Sequence, residues 1–142
     1  MSAALLDVNV LIALLDPRHL DHERVHAWAD VELDRGWATC AITENGFVRI
    51  VSQAAYPNSV TVAQAATTLA AGAAHAAHQF WPCELSFSDA GIRSDRLLGP
   101  RQVTDTYLLA LAVARGGHLV TLDKGVDVSL VAGAEPGHLV NL

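Results

Sequence analysis

Four acidic residues spread along the chain have the type and the setting expected of metal ligands. Asp7 and Asp123 each follow a short apolar run, whereas Glu44 and Asp105 each lie near the start of a helical pattern. Carboxylate oxygens are hard ligands that suit Mg²⁺ or Mn²⁺ better than zinc. If the fold brings these four side chains together, they form a site for one or two such ions, which activate water for attack on phosphorus.

The four acids predict a metal site because they occur together. An Asp or Glu in the first turn of a helix, as at Glu44 and Asp105, is ordinarily explained by capping and by the helix dipole. Asp7 is stronger evidence, because a carboxylate next to a core strand is expensive to bury without a partner. Two such charges about 4 Å apart repel by roughly 4 kcal/mol at an effective dielectric near 20, and a divalent cation removes that repulsion.

Apolar strand patterns alternate with helical patterns along the whole sequence. Five strands are predicted, at residues 3–6, 37–41, 80–85, 118–122 and 138–142. Six helices are predicted between them, at residues 8–15, 21–35, 43–51, 61–77, 88–98 and 104–115, with Asp21, Thr43, Thr61, Ser88 and Thr104 as N-caps. This alternation predicts an α/β sandwich with a mainly parallel sheet. Since strand ends and helix starts share one edge of such a sheet, all four acids are expected in one crevice.

Composition sets limits on the partners of the protein. The 142 residues, 51% of them hydrophobic, predict one domain over residues 1–142. A formal charge of −6 gives no long-range attraction for phosphate, so contacts to nucleic acid must be local. Candidates for such contacts are four arginines, Arg49, Arg93, Arg96 and Arg101. The alternative for the last three is a solvated helix face paired with Asp89 and Asp95.

The location of the protein is predicted from three further features. We expect neither a secretory signal nor an apolar run long enough to span a membrane in this sequence. Cys40 and Cys83 are expected to be buried core thiols, which fits a reducing cytoplasm.

The tryptophans are expected to pack in the core, and Pro82 places the third strand at a sheet edge.

Residues around each acid resemble the PIN-domain nucleases, and most closely the VapC-type toxins. The resemblance rests on four segments that together cover almost the whole chain: Leu6-Asp7-Val8-Asn9-Val10-Leu11-Ile12, Thr43-Glu44 with Arg49 downstream, Thr104-Asp105-Thr106-Tyr107-Leu108-Leu109-Ala110, and Val120-Thr121-Leu122-Asp123. The order and spacing of all four acids fit that family.

The resemblance implies a PIN-like three-layer α/β/α sandwich with a five-stranded sheet in the order 3-2-1-4-5. It also implies an Mg²⁺- or Mn²⁺-dependent endoribonuclease that acts as the toxin of a type II toxin-antitoxin system. An RNA substrate, a cognate VapB-type antitoxin and a homodimer are implied as partners. Asn9 and Thr121 match polar positions that orient the ligand carboxylates or water, while Asp127 is more simply a solvated loop residue.

Two other functions stay open for this sequence. A haloacid-dehalogenase-like phosphatase also carries an aspartate after its first strand, but its general acid two residues later is Asn9 here. A catalytically inactive PIN-like module would use the same acids only to bind a metal or RNA. A zinc site at His22 and His26, or at His75 and His78, lacks a third ligand at the usual spacing.

Overall fold

The centre of the protein is a five-stranded sheet in which every strand pair is parallel. The structure is a computed structural model that describes residues 2–142. The strands are β1 (Ala4–Leu6), β2 (Trp37–Cys40), β3 (His78–Trp81), β4 (His118–Thr121) and β5 (Leu139–Asn141). The helices are α1 (Val8–Leu15), α2 (His22–Glu32), α3 (Ala41–Val51), α4 (Val62–Ala73) and α5 (Val103–Ala114). The strand order β3-β2-β1-β4-β5 confirms the predicted topology.

Helices cover both faces of the sheet, which gives the predicted three layers. On one face, Leu5 and Leu119 pack with the buried residues 106–112 of α5. On the other face, Leu6 and Val120 pack against α1 and α3. Alternate residues of the short strands therefore enter different cores, as the two-residue period of a strand requires. Among the helices of residues 2–142, none has both the length and the apolar character to cross a bilayer.

Two predicted N-caps differ from the structure, and a third lies at the predicted position without a capping bond. The cap of α3 is Cys40, and Thr43 lies inside the helix, where its hydroxyl accepts a hydrogen bond of 3.0 Å from the Cys40 amide. Helix α5 begins at Val103, so Thr104 is already helical. Asp21 is the cap residue of α2 but makes no side-chain capping bond; its carboxylate pairs instead with Arg24 at 2.7 Å.

Two other boundaries and one whole helix were also predicted wrongly. Strand β3 lies at residues 78–81 instead of 80–85, because Pro82 ends it and pairing with β2 sets its register. The predicted helix at 88–98 is replaced by two 3-10 turns, at Phe87–Asp89 and Ser94–Arg96. Helix α4 starts with the predicted capping box of Thr61 and Gln64, but it ends at Ala73, four residues early.

The prediction of buried thiols holds for one cysteine. Cys40 is buried in the core, whereas Cys83 is exposed because it follows the end of the edge strand β3. Trp37 and Trp81 are buried, as expected.

Close contact between α1 and α3 depends on a glycine. A Cβ atom built on Gly46 would lie 2.8 Å from Cγ2 of Val8, closer than packed carbon atoms approach. The absence of a side chain at Gly46 therefore lets the start of α3 approach the start of α1, so that Glu44 and Asp7 belong to adjoining helix ends.

Candidate functional site

The sheet reverses its strand order at β1, which lies between β2 and β4. The chain moves from β1 to β2 and β3 on one side and returns to place β4 and β5 on the other. Asp7 directly follows β1, and Asp123 follows β4 by two residues. Ligands of parallel α/β sheets bind in the crevice at such a reversal, so these two acids lie at the preferred position in the fold.

Asp7 is a buried carboxylate with assigned partners for both oxygens. It caps α1 by accepting a bond of 2.7 Å from the Val8 amide on Oδ1. Its Oδ2 accepts a bond of 2.7 Å from the hydroxyl of Thr121. Burial raises the pKa of Asp7, against the opposing effect of these two hydrogen bonds, and the nearby Asp123 raises it further.

Asn9 and Thr121 connect Asp7 to the loop that carries Asp123. Thr121 Oγ1 accepts bonds from the Asp123 amide at 3.0 Å and from Asn9 Nδ2 at 3.4 Å. Asn9 Oδ1 in turn accepts a bond of 3.1 Å from the Leu122 amide. The two polar residues expected to orient the acids therefore fix the chain between β4 and Asp123.

Asp105, in the first turn of α5, completes a group of three carboxylates. Its pKa is raised to about 7. Burial is the largest cause, followed by the charge of Asp7, the hydrogen bond with Asp123 and the charge of Asp123. Beyond burial, the charge of Asp7 and the hydrogen bond with Asp123 act on this carboxyl group, so the three carboxylates are neighbours.

Glu44 lies at the same edge of the sheet but has different contacts. Its Oε2 accepts a hydrogen bond of 2.6 Å from the hydroxyl of Thr39, on the strand that leads into α3. Thr39 also contacts Nε2 of His78 at 2.8 Å. The three aspartates thus form one group, whereas Glu44 is held at the same sheet edge by its own contact to Thr39 of β2.

The chemistry of this donor set fits a hard divalent cation. The group of three offers carboxylate oxygens, with the amide of Asn9 beside them, and contains no thiolate or imidazole. Among residues 2–142, no three His, Cys, Asp or Glu side chains already have the spacing of direct ligands to one ion. Mg²⁺ requires only one or two carboxylates directly and keeps several waters, so the separation of these acids fits an ion bound partly through water.

A mainly apolar cavity of the protein is a different feature. It has a volume of about 240 Å³, lies between α1, α3 and α4, and is lined by residues including Leu15, Phe47, Val51 and Tyr56. None of the four acids lines it. Carboxylates that can hold a cation offer chemistry that this mainly apolar cavity does not, so we assign the chemistry to the acids.

Comparison with known proteins identifies the family. The chain is 52% identical over 140 residues to Ribonuclease VapC44 of Mycobacterium tuberculosis, a match covering 98% of this chain and 99% of that protein. It is 46% identical over 133 residues to Ribonuclease VapC39 of the same species, covering 92% and 95%. This chain belongs to the VapC ribonuclease family. No protein-family model matches the sequence.

Solved structures agree with this VapC assignment at the level of the fold. The chain aligns with a structure of VapBC2 from Rickettsia felis bound to a DNA fragment from their promoter, with a TM-score of 0.64 at 14% identity over 99% of this chain and 98% of the other. It aligns with FitAcB from Neisseria gonorrhoeae with a TM-score of 0.59 at 22% identity over 86% and 88%. The PIN-like fold predicted from the sequence is confirmed.

The arginines of this VapC-family chain separate into two groups. Arg93 is partly buried, and its guanidinium donates a bond of 2.5 Å to the carbonyl of Ser129. Arg49, Arg96 and Arg101 are exposed, and none of them takes part in the ion pairs formed within residues 2–142. The expected pairing with Asp89 and Asp95 is likewise missing from this part of the chain. Arg93 is therefore committed to a structural contact, whereas the other three can contact a ligand.

Other candidate residues have structural roles. The Nδ1 atoms of His22 and His75 bond to the Ala13 carbonyl and to the Trp37 indole, respectively. His26 pairs with Asp30 at 3.4 Å. Asp127 is exposed, and its carboxylate caps a 3-10 turn by accepting a bond of 2.8 Å from the Ser129 amide.

Two residues that contact the candidate site, Thr39 and His78, were not among the site residues predicted from the sequence. Thr39 was predicted only as part of the strand at 37–41, and His78 only as one half of a zinc pair that lacks a third ligand. The contact between them follows from the register of β2 on β3, which pairs Trp37 with His78 and Thr39 with Phe80. No local sequence signal specifies that register.

Proposed function

We propose that this protein is the toxin of a type II toxin-antitoxin system and that it cleaves RNA as a divalent-metal-dependent endoribonuclease. The observation that carries the proposal is the mutual proximity of Asp7, Asp105 and Asp123 at the strand reversal of a VapC-family chain. A protein fold that only needed stability would gain nothing from three facing carboxylates, since their repulsion is unfavourable.

Each acid has its own task in this proposal. Asp7, Asp105 and Asp123 hold one or two Mg²⁺ or Mn²⁺ ions, and Glu44 completes the acidic set from α3. Bound there, such an ion neutralises the phosphate and activates water for hydrolysis of the phosphodiester bond. Thr121 and Asn9 keep Asp7 and the Asp123 loop in fixed positions, so that the ligands are held before the substrate arrives.

Substrate contacts are assigned to exposed cations around the crevice. Arg101 lies in the 3-10 turn Pro100–Gln102, directly before the helix that carries Asp105, and Arg96 lies in the preceding turn. Arg49 is in the last turn of α3, the helix of Glu44. These side chains would grip RNA phosphates locally and so offset the unfavourable net charge of −6.

Partners follow from the same chemistry. A cognate VapB-type antitoxin that inserts an Arg or Lys side chain into the acidic crevice would neutralise it and exclude both metal and RNA. We further propose a homodimer and action in the cytoplasm, where RNA is available.

The decisive experiment is cleavage of a mixed RNA pool by the purified protein with Mn²⁺, with Mg²⁺ and with a chelator. We expect fragments only with metal, and none from the Asp7→Asn variant under any condition. An Asp34→Asn variant, which changes an exposed acid outside the four-acid set that contacts His75 at 3.4 Å, should cleave normally. Metal-dependent stability without cleavage would instead indicate an inactive binding module, and turnover of small phosphoesters would indicate a phosphatase.

A further inference from the structure

A buried threonine joins Glu44 to a histidine on the edge strand. Thr39, in β2, is 0% exposed. Its Oγ1 lies 2.6 Å from Glu44 Oε2 and 2.8 Å from His78 Nε2. Both distances lie within the ranges of hydrogen bonds of their types, so the hydroxyl is engaged on both sides.

Counting protons fixes the direction of these bonds. A hydroxyl has one proton to give, and an ionised carboxylate can only accept. Thr39 therefore donates to Glu44, which leaves its lone pair to accept from His78 Nε2–H. The ring of His78 must then carry a proton on Nε2, and the series runs from His78 through Thr39 to Glu44.

His78 is itself held firmly in position. Its ring centroid lies 4.6 Å from that of Trp37, a residue buried in the core beneath α1 and α3. Strand pairing places His78 directly beside Trp37. Burial lowers the pKa of His78, although the charge of Glu44 and a hydrogen bond to the backbone of Ala73 act in the opposite direction. The neutral ring has a single proton, which the series above requires on Nε2 and not on the side of Ala73.

Glu44 needs such support because the aspartate group does not supply it. A glutamate side chain loses conformational freedom when it is fixed, and a hydrogen bond to a charged acceptor offsets that loss. Resting on the function proposed above, we propose that Thr39 and His78 are positioning residues that hold the Glu44 carboxylate in the orientation the nuclease site requires.

If these contacts only stabilised the fold, their loss would not affect metal binding or cleavage through Glu44. The neighbouring His75 shows what that role looks like: its Nδ1 accepts bonds from the Trp37 indole at 3.3 Å and from the Ala77 amide at 3.1 Å, and it touches none of the four acids. His75→Gln is therefore a matched control that disturbs the same tryptophan while leaving the contact to Glu44 in place.

The first test uses the wild-type protein without metal, so it does not depend on activity. Long-range ¹H–¹⁵N NMR at neutral pH should show the Nε2–H tautomer of His78, and its Nε2 signal should shift in the Thr39→Val variant. The Nδ1–H tautomer would overturn the proposal, because two acceptors would then compete for the single proton of Thr39.

The second test measures Mn²⁺ binding and RNA cleavage in paired variants. Thr39→Val keeps the shape of the side chain and removes the hydroxyl; we expect Mn²⁺ affinity or kcat to fall about tenfold or more. Thr39→Ser retains a hydroxyl and His78→Gln retains an Nε2 donor, so both should keep most of the wild-type Mn²⁺ affinity and kcat. His78→Leu has no donor and should show the loss. His75→Gln should match the wild type in both measurements.

Outcomes separate this inference from the proposed function. If Thr39→Val folds, as thermal unfolding would show, yet binds Mn²⁺ and cleaves RNA as the wild type does, the positioning role is wrong while the nuclease assignment stands. A different result is that the wild type does not cleave RNA, while His78 is the Nε2–H tautomer and Thr39→Val weakens Mn²⁺ binding. In that case the series from His78 through Thr39 to Glu44 stands and the nuclease assignment fails.

Discussion

The hydroxyl of Thr121 donates a hydrogen bond of 2.7 Å to Oδ2 of Asp7, although 114 positions of the chain separate the two residues. Both side chains are buried, and they lie where the adjacent strands β1 and β4 end. Through this bond the last residue of β4 stabilises the charged form of the first acid. The candidate site therefore depends on the pairing of these two strands as much as on the acids.

Removing this hydroxyl should impair metal binding more than folding. In Thr121→Val, Asp7 loses a hydrogen bond that lowers its pKa, so the carboxylate becomes harder to ionise and to offer to a cation. We expect a 10- to 100-fold loss in Mn²⁺ affinity or cleavage rate, the usual effect of losing a group that orients a metal ligand. Titration calorimetry with Mn²⁺ measures it. Thr121→Ser keeps the donor, and equal losses in both variants would contradict this explanation.

The shared proton of Asp105 predicts a variant that is more stable but inactive. Because the pKa of Asp105 in the folded protein is about 7, above its ordinary value of 3.8, the native state binds more protons than the unfolded state between these pH values. Stability from this group is therefore fully present below about pH 4 and is lost as pH rises to about 7. Asp105→Asn keeps a donor toward Asp123 without the charge.

We expect metal-free Asp105→Asn to unfold at a higher urea concentration than the wild type at pH 8. The corresponding gain in the free energy of unfolding is about 1 to 2 kcal/mol after allowance for solvent screening. The difference should vanish near pH 4, and the variant should not cleave RNA. Urea unfolding across this pH range in the presence of a chelator checks the sign. A variant less stable than the wild type at pH 8 would show that the three carboxylates do not repel one another as described.

Much of the fold could be predicted because its signals are local. Apolar runs separated by helices specify parallel strands, and an acid after a strand or at a helix start must lie at the carboxyl edge of the sheet. Asp7 and Asp123 were therefore placed at the correct edge from their neighbours alone. Family resemblance then supplied the strand order, which local patterns do not encode.

What could not be predicted depends on tertiary pairing. The edge strand β3 was placed two residues late because His78 and Gln79 are polar, yet it is their pairing with Trp37 and Ala38 that makes them a strand. That error concealed the contact of His78 with Thr39. The predicted helix at 88–98 failed for a similar reason: an isolated antiparallel bridge between Ile92 and Val131 ties this segment to a distant loop, which an isolated helix would not allow.

Close packing of α1 on α3 should make Gly46 intolerant of a side chain. In Gly46→Ala, the added methyl group would meet Cγ2 of Val8 at 2.8 Å, and overpacking of this kind costs about 1 to 3 kcal/mol. Since Val8 adjoins Asp7 and Gly46 lies two residues from Glu44, cleavage should fall as well. The companion variant Val8→Ala removes the opposing methyl groups, so the double variant should unfold nearer to the wild type than Gly46→Ala does. Failure of Val8→Ala to restore any stability would mean that the contact is not the cause.

Exposed and structural arginines should differ in the salt dependence of RNA binding. Each phosphate contact to a single strand contributes about 0.7 to the slope of log affinity against log salt. Measured by fluorescence anisotropy in an Asp7→Asn background, Arg96→Ala and Arg101→Ala should each lower the slope by about that amount. Arg93→Ala should mainly lower stability, because its guanidinium holds the Ser129 carbonyl. The control is Arg24→Ala, in an exposed pair with Asp21 on α2; a slope that falls as much in this variant would show that net charge, and not a local grip, attracts the RNA.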